Sequence, residues 1–80
     1  MDWRDYIHST EGVLGGKPVF RDTRYFVERV LKLVGAGWQY DQIASEYPGI
    51  LPEHLRSAAL FAADLMRDES YVAIGQARAA

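Results

Sequence analysis

Apolar residues recur at helical spacing through the middle of the chain. Four of them fall at positions i, i+3, i+4 and i+7, which places them on one face of an α-helix: Val27, Val30, Leu31 and Val34. Gly35 and Gly37 follow this run, and glycine tolerates the positive φ of a helix C-terminus. The pattern therefore predicts a first helix that ends at the glycines.

A second, shorter helix is predicted from Tyr40 to the breaker pair Pro48-Gly49, because the apolar residues Tyr40, Ile43, Ala44 and Tyr47 repeat the same spacing. Asp41 lies in its first turn, where the helix dipole favours an anion.

A third helix is predicted to open at Pro52, since proline suits the first helical position, and to reach about Asp68. Its apolar stripe contains many small residues: Leu55, Ala58, Ala59, Ala62, Ala63 and Met66. The small residues predict a close approach by a neighbouring helix.

Two short runs before the helices, 17–20 and 24–26, flank the turn-like Arg21-Asp22-Thr23 and predict a short β-hairpin. Residues 1–16 carry turn signals without a clear period and are expected to be irregular or partly extended. We therefore expect a mainly α fold, a three-helix helix-turn-helix-like domain (winged-helix or homeodomain-like) with a short N-terminal β-hairpin. The domain is expected to span 17–68, with a tail at 69–80.

Composition excludes some classes of protein and favours one compartment. The 80 residues contain no cysteine, which excludes disulfides and thiolate metal sites and fits a reducing environment. The N-terminus lacks the apolar core of a signal peptide, and the longest apolar run, 58–63, is far shorter than a membrane span. We expect a cytoplasmic protein that binds no membrane.

Nucleic-acid binding would have to be local, because nine basic and eleven acidic residues give a net charge of −2. Two groups of side chains are candidates for DNA contacts: Lys17, Arg21 and Arg24 in the predicted hairpin, and His54, Arg56 and Ser57 in the first turns of the third helix. The alternatives remain open: a solvated mixed-charge hairpin and an ordinary polar helix face.

A partner-binding face is predicted on and just before the third helix. Leu60 projects among polar residues, Phe61 lies at the rim of the apolar stripe, and Leu51 lies just upstream. Together they widen the apolar surface beyond one stripe. A well-packed monomer core is the alternative.

Catalysis finds little support in the sequence. His8 and His54 are far apart, no His-x-x-x-His or acidic metal spacing is present, and Asp64 and Asp68 have the character of a solvated helix face. The spacing of a phosphate-binding loop is also absent around Lys17. We expect a binding protein without a cofactor.

The stretch from Gly16 to Arg24 reads Gly-Lys-Pro-Val-Phe-Arg-Asp-Thr-Arg. It resembles a motif of the small bacterial domain-of-unknown-function antitoxins of type four-three-three. These are VapB-like proteins that are partnered with PIN-like nuclease toxins. The resemblance continues through Gly37-Trp38, Ile43 to Pro48, and the alanine-rich Pro52 to Ala63. It covers about two-thirds of the chain.

Three positions depart from the pattern of that family. Asp22 replaces a glycine of the family, and we expect the aspartate to adopt the same turn conformation as that glycine. Gln39 and Leu51 stand at helix starts where the family usually has serine or threonine, so both helices are expected to lose a good cap.

The resemblance implies an antitoxin: a homodimer that binds and inhibits a PIN-like ribonuclease toxin and represses its own operon by binding operator DNA. Such toxins hold Mg²⁺ or Mn²⁺ in an acidic cluster, and the resemblance implies that a C-terminal segment blocks it. In 69–80, Tyr71, Val72 and Ile74 would be apolar anchors and Arg78 the charge that reaches the carboxylates. A frayed tail is the alternative for this segment.

Two other functions are alternatives for the whole chain. They are a stand-alone DNA-binding regulator and a dimerisation module.

Overall fold

The computed structural model describes residues 1–67 and consists of three helices with a short antiparallel hairpin at the N-terminal end. The helices are α1 (Val27–Gly35), α2 (Tyr40–Glu46) and α3 (Pro52–Arg67), and the strands are β1 (Ile7–His8) and β2 (Val19–Phe20). Two 3-10 turns, Trp3–Asp5 and Leu14–Gly16, precede β1 and β2 respectively. The predicted fold class is confirmed, and no helix of the described part is long and apolar enough to cross a membrane.

The hairpin differs from the prediction in the strand that pairs with β2. β1 supplies that partner, with Ile7 opposite Phe20 and His8 opposite Val19, whereas Phe26 contributes an isolated bridge to Val19. The backbone N–H of Arg21 extends the pairing by donating to the carbonyl of Tyr6 at 2.7 Å. β1 is the extended part of the segment 1–16, which is expected from the sequence to be irregular or partly extended. The chain must enter α1 at Val27, which leaves no room for a second strand after the turn.

The turn after β2 is held by Thr23. Its hydroxyl donates to the carbonyl of Phe20 at 2.8 Å and accepts from the backbone N–H of Tyr25 at 3.0 Å. Asp22 has a φ of 62°, in the left-handed region, as expected for the residue that replaces a glycine.

Asp22→Gly is expected to stabilise the protein by about 0.5 to 1 kcal/mol, because glycine adopts this φ without the steric cost that a side chain brings. Urea unfolding followed by circular dichroism measures the change. A glycine variant less stable than the parent would show that the Asp22 side chain contributes more than its backbone conformation costs.

The end of α1 follows the predicted glycine signal. Gly37 has a φ of 92°, the backbone N–H of Trp38 donates to the carbonyl of Leu33 at 3.0 Å, and that of Gly37 donates to Val34 at 3.0 Å. This pair of bonds is a Schellman motif, which satisfies carbonyls that the helix leaves unpaired.

The starts of α2 and α3 are capped from inside the helix. Gln42, at the third helical position of α2, accepts a hydrogen bond from the backbone N–H of Gln39 at 2.7 Å. His54, at the same position of α3, accepts one through Nδ1 from the backbone N–H of Leu51 at 2.9 Å. Each bond is half of a capping box. The expected loss of capping is thus offset in part by the residue three positions later.

The core lies where the hairpin, α1, α2 and α3 meet, and its buried apolar residues are Ile7, Val19, Phe20, Val27, Val30, Ile43, Ile50 and Ala58. The N-terminal turn also packs on α3: the Trp3 indole N–H donates to the carboxylate of Asp64 at 2.6 Å, and its ring meets Phe61 edge to face at 4.7 Å. Residues that the sequence places outside the domain therefore cover one side of α3.

Four predicted core positions are exposed. Val34 is 45% exposed and Met66 is 58% exposed, although both continue the apolar stripes of their helices. Ala59 and Ala63 are exposed as well. The apolar stripes of α1 and α3 are therefore only partly covered by the core.

Candidate functional site: a basic hollow and an apolar groove

An open hollow of ≈ 500 Å³ brings together three of the residues predicted to contact DNA. Arg21 and Arg24 lie on either side of the hairpin turn, and His54 joins them from the first turn of α3. The complete lining is Arg21, Asp22, Thr23, Arg24, Tyr25, Pro48, Gly49 and His54. The fold thus places the hairpin turn beside the start of the third helix.

Hydrogen bonds and ring contacts hold the walls of this hollow. The Tyr25 hydroxyl donates to the carbonyl of Pro48 at 3.0 Å, and the Tyr25 ring meets Tyr47 edge to face at 5.0 Å. The Arg21 Nε donates to the carbonyl of Arg4 at 2.9 Å. Arg21 is therefore anchored through one nitrogen, and its two terminal nitrogens have no hydrogen-bond partner among the described residues.

His54 is fixed by two aromatic contacts of its ring and by a hydrogen bond to its Nδ1. The ring packs edge to face against Phe20 at 5.2 Å and Tyr6 at 5.5 Å, and Nδ1 accepts the hydrogen bond from Leu51. Because Nδ1 is an acceptor, the neutral ring carries its proton on Nε2. His54 is thus a structural residue of the α3 start that also lines the hollow.

Lys17 belongs to a second hollow of ≈ 430 Å³, beside the first. Its ammonium lies 3.7 Å from a Glu28 carboxylate oxygen and 5.6 Å from the centre of the Phe26 ring. The lining is Lys17, Phe26, Glu28, Arg29, Lys32, Leu33 and Tyr47. By sequence, Lys17 was grouped with Arg21 and Arg24. In the structure, Lys17 instead shares its hollow with Arg29 and Lys32. Arg29 and Lys32 were missed, although their i, i+3 spacing puts them on one helix face.

The structure contradicts the predicted DNA contact of Ser57. Its side chain is fully buried, at 0% exposure, and its hydroxyl donates to the carbonyl of His54 at 2.7 Å. The residue faces the core because it lies one turn after His54 on the buried side of α3. Arg56 is exposed but lines neither hollow.

An apolar groove of ≈ 410 Å³ runs between α1 and α3 on another side of the domain. Its lining is Pro18, Val27, Glu28, Leu31, Lys32, Phe61, Ala62 and Leu65. The surface is almost wholly apolar, and Leu65 at its edge is 55% exposed. The charges at the rim are Glu28 and Lys32, which form an i, i+4 ion pair at 3.5 Å.

The predicted partner residues do not form a single patch. Phe61 lies in the groove, with its ring supported by Trp3. Leu60 is exposed beside the N-terminal turn, and exposed Leu51 precedes the other end of α3. Leu31 and Leu65 were not among the residues predicted from the sequence to bind a partner. Whether they line an open groove depends on how α1 packs against α3, which the sequence does not show.

The N-terminal turn beside Leu60 is capped by the side chain of Asp2. The backbone N–H of Arg4 donates to the Asp2 carboxylate at 2.9 Å and lowers the pKa of Asp2. The Arg4 guanidinium, at 3.3 Å, acts in the same direction. This capping contact holds the turn that positions Trp3.

The C-terminal residues predicted to bind the toxin, Tyr71, Val72, Ile74 and Arg78, lie outside the described residues. Within 1–67, no group of three or more histidine, aspartate or glutamate side chains is arranged to hold a metal ion.

Comparison with known proteins gives one match. The family model described as "Protein of unknown function (DUF433)" matches residues 7–62, which begins at β1 and ends within α3. No curated protein and no solved structure matches the chain. The matched segment contains both hollows and most of the apolar groove. Because the family model covers more than half of the chain, this protein belongs to the DUF433 family.

Proposed function

We propose that this protein is the antitoxin of a type II toxin-antitoxin system, which binds and inhibits a PIN-like ribonuclease. The observation that carries the proposal is the apolar groove between α1 and α3, which residues 1–67 leave open. Family membership supports the proposal to the extent that the Gly16 to Arg24 motif resembles such antitoxins.

The groove has the form of a site for an apolar helix or strand of a partner protein. Its floor contains Val27 and Ala62, and Leu31, Phe61 and Leu65 provide larger side chains around them. A concave surface with a small floor and bulky walls accepts the ridge of a partner helix. Exposed apolar surface of this kind marks an interaction site in a water-soluble domain.

Two further apolar side chains are exposed near the ends of the same helices. They are Val34 on α1 and Met66 on α3. Burying a leucine or methionine side chain fully contributes about 1.5 to 3 kcal/mol. A partner that covers these residues therefore gains substantial binding energy from a small contact.

The segment 69–80 completes the proposed inhibition. In this proposal, Tyr71, Val72 and Ile74 anchor the segment on the nuclease, and Arg78 binds the carboxylates that hold the catalytic metal. Arginine suits this role because its planar guanidinium pairs with carboxylates through two parallel hydrogen bonds. The protein itself acts by binding, as a homodimer, without a cofactor.

The proposal is tested by recovery of the tagged protein from its native cell at its natural level, with the partners identified by mass spectrometry. The expected result is one small nuclease with an acidic metal site, in an amount close to that of the tagged chain. Recovery of the protein with copies of itself alone would contradict the antitoxin function and favour a dimerisation module.

A further inference from the structure

We propose that a third hollow, between the N-terminal turn and the hairpin, binds a small organic anion that carries one carboxylate on an apolar body. This N-terminal hollow has a volume of ≈ 300 Å³ and is separate from the two basic hollows except at Arg21, which also lines the first of them. Trp3 and Arg4 line it and precede residue 7, where the match to the family model begins. The hollow therefore lies partly outside the segment that defines the family, and its ligand is independent of the proposed nuclease.

The fold brings two arginines together at this hollow from positions 17 residues apart. Arg4 belongs to the N-terminal 3-10 turn, and Arg21 follows β2. The Arg21 Nε donates to the carbonyl of Arg4 at 2.9 Å, and the Arg21 backbone N–H donates to the carbonyl of Tyr6 at 2.7 Å. Arg21 is thus held through both its backbone and its side chain, which restricts the position of its guanidinium before any ligand binds.

The charge of the N-terminal hollow matches a single negative charge. Among the described residues, its lining contains two arginines and no carboxylate. Arg4 lies 3.3 Å from the carboxylate of Asp2, which neutralises much of its charge. Arg21 forms no ion pair within residues 1–67, so one positive charge is left for a ligand. A carboxylate carries one negative charge, whereas a phosphate monoester carries about 1.5 to 2 at pH 7.

Hydrogen-bond donors line the polar wall of the hollow. A guanidinium pairs with a carboxylate through two parallel hydrogen bonds, and the terminal nitrogens of Arg21 have no partner among residues 1–67. His8, at the end of β1, and the next residue, Ser9, line the same hollow. The imidazole has an N–H donor in either protonation state, and the hydroxyl also donates. One carboxylate can therefore accept hydrogen bonds from three kinds of side chain.

The remaining wall is apolar and suits an aromatic or aliphatic body. Trp3 and Phe61 meet edge to face with their ring centres 4.7 Å apart, and Pro18 belongs to the same lining. The Trp3 indole N–H already donates to Asp64 at 2.6 Å, so this ring offers carbon surface to a ligand. The Arg4 guanidinium lies 4.4 Å from the centre of the Trp3 ring, which places a cation beside the apolar surface. A ligand with an anionic head and an apolar body contacts both.

The volume of the hollow limits the size of the ligand. Ligand sites in proteins have volumes of about 300 to 1,000 Å³, and this hollow is at the lower end of that range. The hollow adjoins the apolar groove at Pro18 and Phe61, which line both. A probe of matching chemistry is 3-phenylpropionate, which combines one ring, a short chain and a carboxylate.

The test follows the two indole N–H signals of the nitrogen-15-labelled full-length protein by NMR during titration with 3-phenylpropionate. The chain has two tryptophans, Trp3 in the hollow and Trp38 outside its lining, so the second is an internal reference. We expect the Trp3 signal to shift with a dissociation constant of about 1 mM and the Trp38 signal to stay in place. Acetate, which lacks the ring, and 3-phenylpropanol, which lacks the charge, are expected to bind at least about fivefold more weakly.

Arg21 and Arg24 provide a matched pair of variants. Both are exposed arginines that line the first basic hollow, and only Arg21 also lines the N-terminal hollow. Arg21→Gln is expected to weaken binding of 3-phenylpropionate about tenfold, because the charge-assisted hydrogen bonds are lost, and Arg24→Gln is expected to change it less than twofold. Circular dichroism checks that both variants are folded.

Equal weakening by the two variants would assign the anion to the first basic hollow and overturn the proposal. A Trp3 signal that does not shift at about ten times the expected dissociation constant would also overturn it. Tighter binding of phenyl phosphate would make a phosphate the preferred head group, and tighter binding of a short peptide that ends in phenylalanine would assign the hollow to a protein C-terminus. Either result would contradict a site for a small carboxylate.

Discussion

Phe20→Ala is expected to remove about 3 to 5 kcal/mol from the free energy of unfolding, the largest effect of any single truncation in this domain. The Phe20 ring is fully buried, at 0% exposure, and contacts the His54 ring at the start of α3. Its backbone N–H also donates to Tyr25 at 3.1 Å, so the residue joins β2, the hairpin turn and α3. The free energy of unfolding of a domain of this size is small, so we expect the variant to be largely unfolded at 25 °C.

Urea unfolding followed by tryptophan fluorescence and circular dichroism measures this loss. Leu14→Ala is the matched control, because Leu14 is a large apolar residue that is exposed and outside the core cluster. Leu14→Ala is expected to change the free energy of unfolding by no more than about 0.5 kcal/mol. A Phe20→Ala variant whose free energy of unfolding is within about 1 kcal/mol of that of the parent would show that the core does not centre on β2.

Leu65→Asp is expected to weaken binding of the proposed nuclease partner by about 2 to 4 kcal/mol, or about 30- to 700-fold. Leu65 forms one wall of the apolar groove and is half-exposed in the free protein. In the complex, the aspartate would lose its hydration against an apolar surface without gaining a partner. The free protein tolerates the change because the side chain already contacts water.

Isothermal titration with the purified nuclease measures this affinity, and unfolding experiments confirm that Leu65→Asp keeps the stability of the parent within about 0.5 kcal/mol. Leu51→Asp is the matched control: Leu51 is also an exposed leucine, but it precedes the other end of α3 and does not line the groove. We expect its affinity to equal that of the parent. Equal losses from both variants would place the interface elsewhere.

Features encoded by nearby residues were predictable from the sequence. The periodicity of Val27 and Val30 located α1, the glycine signal located its end, and Pro52 opened α3. The turn chemistry of Thr23 and the positive φ of Asp22 also follow from local conformational preferences. Each of these signals acts within about one helical turn or one β-turn.

Features that depend on distant residues were not predictable in the same way. β1 has only two residues, too few for a period, and the residues that they pair with lie thirteen and eleven positions along the chain. Trp3 reaches Asp64 across 61 positions, and this contact decides which side of α3 is covered. The sequence also could not show that Ser57 is buried or that Arg29 lines a hollow with Lys17, because both depend on how the helices pack against the hairpin.

In the proposed function, this protein silences a nuclease through the apolar groove. The decisive measurement is the ribonuclease activity of the recovered partner, titrated with the parent protein and with Leu65→Asp. We predict that the parent abolishes activity at a one-to-one ratio of chains and that Leu65→Asp at the same ratio leaves most of it, with Leu51→Asp behaving as the parent does. Ribonuclease activity that is unchanged by an excess of the parent protein would contradict the account.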